Sequence, residues 1–462
     1  MRVLETLTWA EITSALRAEM KGSPSSPARG ASIDTRTLEA GDLFFAFKGE
    51  QADGHDFIRT AFERGAVCAV VQDPARVPEG AFALVVSHPE SALFELGRLI
   101  RSRVTVPFVA VTGSAGKTTA KDFTAELLAA RGPVLATRGN LNNHLGVPLT
   151  LARLETDHWA AVIECGMSHP GELSLLAGLV RPRVAVVTNV AAAHLEFFES
   201  LAQIAEAKSE IFETLREGDF AVAPADEPLL SSRALQTPAQ ARLFGEGQGS
   251  SVRALDVSMS LEGSTFELHC DGAKTPVTLP VAGPHAVSNF LAAAATASAL
   301  GVPVEVIAER GRLLKSASNR GAIKRLGDDI LLIDDSYNSN PKALRSAVET
   351  LALAKGRRRV ACVGDMLELG PGGPQLHREA GAFIGPRVDL LLGVGPLALE
   401  IVAGAAALPN EAKRTFATSA DLAENISSLV RGHDAVLVKG SRGVRMERVV
   451  EALMAAHPGA SA

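Results

Sequence analysis

The sequence predicts an α/β protein of three domains: a small N-terminal α/β domain (residues 1–103), a central domain with a phosphate-binding loop (P-loop) on a parallel sheet (104–318), and a C-terminal domain of strand–helix units (319–462). Three observations support this division. A length of 462 residues suits about three domains. Short apolar runs alternate with helical segments from Pro107 onward, which is typical of a parallel sheet. A glycine turn carrying a lysine follows the first of these runs.

The first domain mixes short strands with helices. Apolar, β-branched and aromatic runs predict strands over residues 43–47, 66–71 and 82–86. Apolar residues at helical spacing predict helices over residues 9–19 and 57–63. This mixture indicates a small α/β unit.

The central domain has a different rhythm. Strands are predicted near residues 108–111, 159–165, 184–188 and 220–223, separated by helical segments. Residues 251–280 alternate polar and apolar side chains around two turn signals. They therefore predict an antiparallel hairpin region inserted in this domain.

Strand–helix units repeat in the C-terminal domain, with strands predicted over residues 330–333, 360–363, 390–392 and 435–438. The rhythm is Rossmann-like, but this block lacks the GxGxxG fingerprint, so no dinucleotide is inferred. In parallel sheets ligands gather at the carboxyl ends of the strands. Candidate chemistry is therefore expected just after each predicted strand.

Composition narrows the function classes. A net charge of −6 argues against a general nucleic-acid binder, although local cations can still serve anionic substrates. The four cysteines form no CxxC pair, so neither a disulfide framework nor a zinc knuckle is indicated, which fits a reducing cytoplasm. Charged residues near the N-terminus leave no room for a signal-peptide core, and no apolar run of about 18–20 residues occurs. We expect a cytoplasmic protein without a membrane span.

The stretch VAVTGSAGKTTAK (residues 109–121) is a shortened form of a phosphate-binding loop, because only two residues separate Gly113 from Gly116. The glycines permit a tight turn from a strand into a helix, whose free N–H groups and dipole suit a phosphate. Lys117 would add a positive charge at the β- and γ-phosphates, and Thr118 a hydroxyl for Mg²⁺. The alternative is an ordinary strand-to-helix turn that happens to contain a lysine.

Two further candidates follow predicted strands. Glu164 ends the apolar run WAAVIE, where its carboxylate would either hold Mg²⁺, directly or through water, or cap the strand end. His194, in TNVAAAHLEFF, follows the next strand by a few residues, beside the predicted phosphate site. A histidine in such a loop is either a ligand or a simple hydrogen-bonding residue.

Lys208 interrupts an apolar helix face. In QIAEAKSEIFETL, Ile204, Lys208, Ile211 and Leu215 fall on one stripe at helical spacing. One interpretation is snorkelling, with the stem buried and the ammonium in water. The other is a lysine whose pKa is lowered by desolvation, leaving a neutral amine that reacts with CO₂ to give an anionic, metal-binding carbamate. Spacing does not decide between them.

Three other segments combine polar groups. The helix GPHAVSNFLAAAATASALG begins with His285 and Asn289, whose side chains can contact an adenine edge, although most such helices are simply core. The loop DDSYNSNP (residues 334–341) follows a buried strand. VKGSRG follows the last strand and adds two cations, Lys439 and Arg442, for an anionic ligand.

Together these segments resemble the Mur ligases, the ATP-dependent amide-bond-forming enzymes of peptidoglycan precursor synthesis, whose phosphate loop has the same shortened form. Within the family, GNLNNHLGVP, DDSYNSNP and GDMLELG are most similar to the members that join D-alanyl-D-alanine to UDP-N-acetylmuramoyl-tripeptide. The resemblance spans nearly the whole chain. Its segments are DTRTLEAGDLFFAFKGEQADGHDF, GNLNNHLGVPL, ECGMSHPGEL, TNVAAAHLEFF, AEAKSEIF, DDSYNSNP, GDMLELG and VKGSRG.

By that resemblance the first domain holds the UDP end of one substrate, the central domain binds ATP and Mg²⁺, and the third domain closes over the nucleotide. Lys117, His194 and a carbamylated Lys208 would be the catalytic groups. One departure is Asn319, where family members more often have glycine before the arginine. The implied ligands are Gly113, Ser114, Ala115, Gly116, Lys117, Thr118, Thr119, Asn289, Arg320 and Asp335 for ATP; Thr118, Glu164, His194 and Lys208 for Mg²⁺; and Thr35, Arg36, Lys48, Asp53, His55, Asn142, Asn143, Tyr337, Asn338, Asn340, Lys439 and Arg442 for the substrates.

The implied reaction converts a carboxylate into an acyl phosphate with ATP, and an amine then attacks to give an amide, ADP and phosphate. Two alternatives remain open. One is a ligase for another amine or acid, such as the diaminopimelate- or lysine-adding Mur enzymes and the folylpolyglutamate synthases. The other is a P-loop NTPase that uses hydrolysis as a switch or motor. We expect a monomer that acts on small molecules and has no nucleic-acid partner.

Overall fold

The computed structural model describes residues 1–49, 52–192, 198 and 200–459. Three sheets of 5, 9 and 6 strands follow one another along the chain. The predicted α/β class with three domains is confirmed. Within the described residues, no helix is long and apolar enough to cross a membrane.

The first sheet is parallel except at one edge. Its domain contains helix α1 (Trp9–Leu16), strands β1 (Glu19–Lys21), β2 (Gly30–Ser32) and β3 (Asp42–Phe45), helix α2 (Ile58–Glu63), strands β4 (Cys68–Val71) and β5 (Ala83–Val85), and helix α3 (Pro89–Ser102). The strand order is β1-β5-β4-β3-β2, with β1 antiparallel to β5. The predicted strands and helices are present, although α1 ends earlier, at a left-handed Arg17. Strands β1 and β2 are additional, and with 3 residues each they are too short for a periodic signal.

The order in which strands are added to the central sheet reverses at strand β6. Its domain contains strand β6 (Phe108–Thr112), helix α4 (Lys117–Leu128), strand β7 (Val134–Ala136), helix α5 (Gly146–Leu151), strand β8 (Ala160–Glu164), helix α6 (Glu172–Val180), strand β9 (Val184–Val187), helix α7 (Leu201–Ser209), strand β10 (Phe220–Pro224), helix α8 (Pro228–Leu235), strands β11 (Gln240–Gly245), β12 (Val252–Ser260), β13 (Gly263–Cys270) and β14 (Ala273–Leu279), and helices α9 (Pro284–Ala299) and α10 (Val304–Gly311). The order is β14-β13-β12-β11-β10-β9-β6-β8-β7. From β6 the chain builds β7 and β8 on one side and then β9 to β11 on the other. Such a switch opens a crevice at the carboxyl end of β6.

Strands β12 to β14 form the predicted antiparallel region. Strand β13 pairs with both neighbours in antiparallel register. The region is not a separate insertion, however, because β12 pairs in parallel with β11, matching Val252 to Phe244. It therefore extends the central sheet.

The third sheet is parallel except for its first strand. Its domain contains strands β15 (Ala322–Arg325) and β16 (Leu331–Asp335), helix α11 (Pro341–Ala352), strand β17 (Arg359–Gly364), helix α12 (Gly373–Ile384), strand β18 (Leu390–Val394), helix α13 (Ala398–Gly404), strand β19 (Lys413–Phe416), helix α14 (Ser419–Leu429), strand β20 (Ala435–Lys439) and helix α15 (Glu447–Ala456). The order is β15-β16-β20-β17-β18-β19, with β15 antiparallel to β16. The four predicted strands are present as β16, β17, β18 and β20. Their carboxyl ends carry the loops that follow residues 335 and 439.

Hydrophobic packing joins the first two domains. One continuous core includes Leu93 of the first domain and Phe108 of the central domain. The third domain has separate cores on the two faces of its own sheet. Its contacts with the central domain include an ion pair between Lys342 and Glu227 at 2.9 Å. The first two domains therefore share one packed body, whereas the third keeps cores of its own.

Candidate functional site

Two cavities open where the central domain meets the third domain. The phosphate-loop cavity, of about 1240 Å³, is lined by residues 114–119 and 337–340 together with other side chains. The junction cavity, of about 780 Å³, is lined by residues of all three domains, including Arg2, Lys121 and Arg442. The walls shared by both cavities are Thr118, Asn140, Arg320 and Tyr337.

The phosphate-loop cavity gathers most of the predicted ATP-binding residues. Of the ten, all except Gly113 line it, and Gly113 forms the turn behind the lining. Those in the wall are Ser114, Ala115, Gly116, Lys117, Thr118, Thr119, Asn289, Arg320 and Asp335. Residues of the central and third domains are thereby brought to one place, as the resemblance implies.

The phosphate loop forms the predicted glycine turn between β6 and α4. Gly113 (φ 150°) and Gly116 (φ 77°) adopt conformations that favour glycine. A Cβ at Gly113 would collide with the Thr188 hydroxyl, and one at Gly116 with the Asn289 side chain. Helix α4 begins at Lys117 without a side-chain cap. Its first N–H groups can therefore meet a phosphate in the cavity.

Thr188 and Asn189, just after strand β9, hold the loop in place. Asn189 Oδ1 accepts a hydrogen bond from Ala115 N at 2.9 Å, and Asn189 Nδ2 donates to Ala115 O at 3.0 Å. Thr188 Oγ1 donates to the same carbonyl at 2.6 Å. The sequence predicts neither role, because its only signal is a polar pair after an apolar strand. The adjacency of β9 and β6 supplies the rest.

Lys117 reaches back over the loop. Its Nζ donates to Gly113 O at 2.7 Å. Burial lowers the pKa of Lys117, the Glu164 carboxylate opposes this shift, and the Arg320 cation adds to it. These three charged groups therefore act on one another at the phosphate loop.

Glu164 ends strand β8 and is 2% exposed. Its Oε2 accepts a hydrogen bond from Thr118 Oγ1 at 2.8 Å, and its Oε1 accepts one from Asn142 Nδ2 at 2.8 Å. Its carboxylate accepts no backbone N–H from the described residues, so the strand-cap alternative does not apply. Thr118 and Glu164 are 46 residues apart, so no local pattern in the sequence predicts the hydrogen bond between them.

Thr118 and Glu164 fit a Mg²⁺ site. Both line the phosphate-loop cavity, and a hydroxyl with a carboxylate offers the hard oxygen donors that Mg²⁺ prefers. Mg²⁺ usually takes only one or two protein carboxylates beside water and phosphate. The described parts of the chain hold no group of three or more His, Cys, Asp or Glu side chains placed to bind a metal. Of the two other predicted ligands, His194 lies outside the described residues, and Lys208 lies on helix α7.

Lys208 lies on the buried face of helix α7, with its side chain 2% exposed. The rest of the predicted stripe, Ile204, Ile211 and Leu215, is buried as well. No described residue forms a hydrogen bond or ion pair with its ammonium. Burial lowers the pKa of Lys208 well below its usual value, and the positive charge of Lys117 adds to this. The snorkelling interpretation is wrong, because the ammonium does not reach water.

Helix α9 supplies the wall where an adenine is predicted. Asn289 is 5% exposed beside Gly116, and His285 lines the same cavity. His285 Nδ1 lies 3.2 Å from Ser346 Oγ of helix α11. The predicted adenine-edge residues thus face the cavity where α9 meets the third domain.

The segment between the central and third domains positions Arg320. Asn319 has φ 61°, a left-handed conformation that glycine favours and asparagine tolerates better than most residues. Asn319 therefore adopts the same left-handed backbone conformation that glycine would favour at this position. Asn319 O accepts a hydrogen bond from Tyr337 N at 3.1 Å, and the Arg320 guanidinium lies 4.0 Å from the Tyr337 ring centroid. Its charge has no anionic partner in the described part of the chain.

An ion pair between Lys439 and Asp335 changes the role expected of Lys439. The lysine is 2% exposed, and its Nζ donates to Asp335 Oδ2 at 2.5 Å and to Asn338 O at 2.9 Å. A paired, buried lysine is not a free cation for a substrate. Arg442 does not join it, because Lys439 lines the phosphate-loop cavity and Arg442 the junction cavity.

Two predicted substrate asparagines also start helices. Asn143 Oδ1 accepts a hydrogen bond from Gly146 N at 2.9 Å at the start of α5. Asn340 Oδ1 accepts one from Ala343 N at 2.8 Å at the start of α11, while its Nδ2 donates to Ser114 O at 3.4 Å. Both residues line the phosphate-loop cavity. Asn340 therefore ties the third domain to the phosphate loop.

The predicted UDP-binding motif lies in the first domain, and none of its five residues lines either cavity. Thr35 and Arg36 lie on a turn, and Arg36 is exposed. Lys48 and Asp53 face each other in an isolated β-bridge. His55 is buried, with Nδ1 2.7 Å from Asp53 Oδ1 and Nε2 accepting a backbone N–H at 3.3 Å. Both of its ring nitrogens are engaged, which gives His55 a structural role in this loop.

Comparison with known proteins defines the class. Three family models match successive parts of the chain: Mur ligase family, catalytic domain, over residues 28–103; Mur ligase middle domain over 111–297; and Mur ligase, glutamate ligase domain over 319–442. The chain belongs to the Mur ligase family, as its motifs predict.

Individual members of the family that are similar to this chain share one activity in their names. The UDP-N-acetylmuramoyl-tripeptide–D-alanyl-D-alanine ligase of Escherichia coli K12 is 36% identical over 460 residues, covering 97% of this chain and 98% of the relative. The ligase of the same name from Bacillus subtilis 168 is 34% identical and covers 92% and 93%. Among solved structures, MurF from Acinetobacter baumannii has a TM-score of 0.87 at 32% identity, covering 97% and 98%. The MurF ligase from Thermotoga maritima in complex with ADP has a TM-score of 0.80 at 28% identity, covering 93% and 98%.

Proposed function

We propose that this protein is an ATP-dependent ligase that joins D-alanyl-D-alanine to UDP-N-acetylmuramoyl-tripeptide in peptidoglycan precursor synthesis. The observation that carries the proposal is that Arg320 and Tyr337 line one cavity with Lys117 and Thr118 of the phosphate loop. A nucleotide on that loop would present its terminal phosphate to the third domain. Similarity to ligases of this activity over nearly the whole chain supports the choice of substrates.

Two bond changes make up the proposed reaction. A carboxylate oxygen of the tripeptide attacks the γ-phosphorus of ATP, the bond to ADP breaks, and an acyl phosphate forms. The neutral amine of the dipeptide then attacks the acyl carbon. The C–N bond forms, the C–O bond to phosphate breaks, and the nitrogen gives up one proton.

The cations of the site match the charge that accumulates in both steps. Lys117 and the free N–H groups of α4 would stabilise the phosphoryl oxygens. Arg320 would meet the same oxygens from the third domain, because it has no anionic partner within the described residues. Enclosure between the two domains would keep water from the acyl phosphate.

We propose that Thr118 and Glu164 hold Mg²⁺, with His194 as a further ligand. When bound, the ion would neutralise charge on the phosphoryl oxygens. The hydroxyl–carboxylate contact at 2.8 Å and the burial of Glu164 support this assignment. Asn142 orients the other carboxylate oxygen.

We also propose that Lys208 carries CO₂. Its neutral amine would attack the carbon of CO₂, forming an N–C bond and releasing one proton to leave an anionic carbamate. Burial, the lowered pKa and the lack of an anionic partner among the described residues support this step. The nearby positive charge of Lys117 would favour the anion.

The proposed division of labour follows the predicted boundaries between residues 103 and 104 and between 318 and 319. No sheet formed by the described residues crosses either boundary. Thr35, Arg36 and Lys48 would bind the UDP end of the acceptor, with Asp53 and His55 shaping their loop. We also propose that the protein acts as a monomer.

Phosphate release across a panel of acids and amines tests the proposal. With ATP, Mg²⁺, UDP-N-acetylmuramoyl-tripeptide and D-alanyl-D-alanine, we expect rapid release and a product with the mass of the amide. Release should fall to background when either the acid or the amine is left out. D-Alanyl-D-alanine should exceed D-alanine, L-alanine, L-lysine and diaminopimelate at equal concentration, because a remote contact helps to orient the amine.

The other outcomes identify the alternatives. Phosphate release without acid or amine would indicate a P-loop NTPase switch. Preference for a single amino acid would indicate a different Mur-type ligase. The same assay therefore separates all three functions.

A further inference from the structure

The junction cavity adjoins the phosphate-loop cavity but has a largely different lining. Its volume of about 780 Å³ is in the range of small-molecule sites. It shares Thr118, Asn140, Arg320 and Tyr337 with the phosphate-loop cavity. The two cavities therefore meet at Thr118, next to Lys117 in the phosphate loop, where the acyl phosphate would form.

The wall of the junction cavity is basic, with six Lys and Arg side chains against Asp122 and Glu155. Three of these cations already have anionic partners: Arg2 pairs with Glu39 and Asp42, Arg153 with Glu39, and Lys121 with Asp122. The other three cations are Arg138, Arg320 and Arg442.

The positive charges of these three arginines are not balanced by a buried ion pair within the described residues. Arg138 and Arg320 form no ion pair within the described ranges. Arg442 has one exposed contact, 3.3 Å from Glu447. The excess positive charge in the wall of the junction cavity therefore favours an anionic ligand.

Tyr337 lines both cavities, and two arginines of the junction cavity lie near its ring. The guanidinium of Arg320 lies 4.0 Å from the ring centroid, and that of Arg442 lies 5.6 Å from it. Arg320 lines both cavities, whereas Arg138 and Arg442 line only the junction cavity. A ligand that extends from Arg442 past Tyr337 has one end at an unshared cation and the other near Thr118.

We infer that the junction cavity binds the dipeptide substrate, with its carboxylate at Arg138 and Arg442 and its amine directed past Tyr337 toward the acyl carbon. This inference rests on the proposed function. Guanidinium groups bind carboxylates through paired N–H donors. Two residues extend about 7 Å, roughly twice the reach of a single amino acid. Cations set back from the phosphate loop therefore select a dipeptide over an amino acid.

The test compares D-alanyl-D-alanine with its C-terminal amide, which keeps the amine and lacks the negative charge. The wild-type protein, Arg138→Gln, Arg442→Gln and the double variant are assayed for kcat/KM with each compound. Arg414→Gln is the matched control, because Arg414 is an exposed arginine of strand β19 in the third domain. Arg442 is 62% exposed, so its replacement should leave the fold intact, which a thermal melt checks.

We expect the wild type to prefer the acid over the amide at least tenfold. The double variant should lose at least tenfold in kcat/KM for the acid and stay within about twofold for the amide, so that the preference disappears. The KM values for ATP and for UDP-N-acetylmuramoyl-tripeptide should not change. The Arg414→Gln control should keep the wild-type preference.

A double variant that keeps the wild-type preference overturns the inference. So does a double variant that raises the KM of UDP-N-acetylmuramoyl-tripeptide instead, which would place carboxylates of that substrate in the cavity. A change only in inhibition by added phosphate would also overturn it, in favour of a route for product release. Failure of the proposed function looks different, because the wild type would then form no amide from the dipeptide.

Discussion

Replacing Lys208 with methionine should stabilise the fold while removing activity. The lysine is 2% exposed within an apolar stripe, and no described residue accepts a hydrogen bond from it. Burying an amine without a partner costs about 1–3 kcal/mol. Methionine fills a similar volume without a polar group, so the free energy of unfolding should rise by an amount of that order.

The pH dependence of this gain follows from the lowered pKa of Lys208. The unfolded chain binds the proton more strongly than the folded chain, with an ordinary pKa of 10.5. Between the lowered folded pKa and 10.5, wild-type stability therefore rises with pH, by up to about 1.4 kcal/mol per pH unit. Methionine does not titrate. The advantage of Lys208→Met should be largest at low pH and shrink as the pH approaches 10.5.

Thermal melts in CO₂-free buffer with a chelator measure this difference, because neither carbamate nor metal then stabilises the wild type. Phosphate release gives the activity, which should be nearly absent in Lys208→Met and Lys208→Ala. High acetate or formate should partly restore Lys208→Ala, whose vacated space admits a carboxylate, and should not restore Lys208→Met. The control is Lys315→Met, at an exposed lysine of the central domain. Near-normal turnover by Lys208→Met, or a loss of stability in it, would refute the reasoning.

Three further predictions concern the phosphate loop, the interdomain segment and the first domain. Lys117→Ala should lower kcat roughly 10²–10³-fold at an unchanged melting temperature, and normal turnover in the folded variant would contradict the site. Asn319→Gly should keep full turnover, because glycine readily adopts φ 61°. Asn319→Val should lose about 1–2 kcal/mol of stability, and its turnover should fall. Equal kcat values for the two variants would show that the left-handed backbone at residue 319 does not affect catalysis. Hydrogen bonds from Arg153 and Arg2 lower the pKa of Glu39 from 4.5 to about 2. The contribution of Glu39 to the free energy of unfolding is therefore fully present above pH 4.5 and is lost as the pH falls toward 2. In melts over that range Glu39→Gln should lack this loss, and an equal acid loss in both proteins would show that Glu39 does not cause it.

Short-range patterns in the sequence already determine several features of this site. The turn at Gly113 and Gly116 follows from backbone sterics and from the change of a buried strand into a helix. The placement of Lys208 on a buried face follows from helical spacing. The order of the three domains follows from where strand–helix alternation begins and is renewed. Each of these depends on residues a few positions apart, and for that reason periodicity predicts them.

Contacts between distant segments depend on tertiary structure. Asn189 reaches the phosphate loop because β9 lies beside β6, and Thr118 reaches Glu164 because β8 lies on the other side. Asp335 neutralises Lys439 because β16 and β20 are neighbours, which no motif reveals. Lys439 and Arg442 are close together in the sequence, which predicts that they bind the same ligand. In the structure they line different cavities. Strand pairing joins residues tens of positions apart, so the partners that decide whether a charge is free are determined only when the sheets assemble.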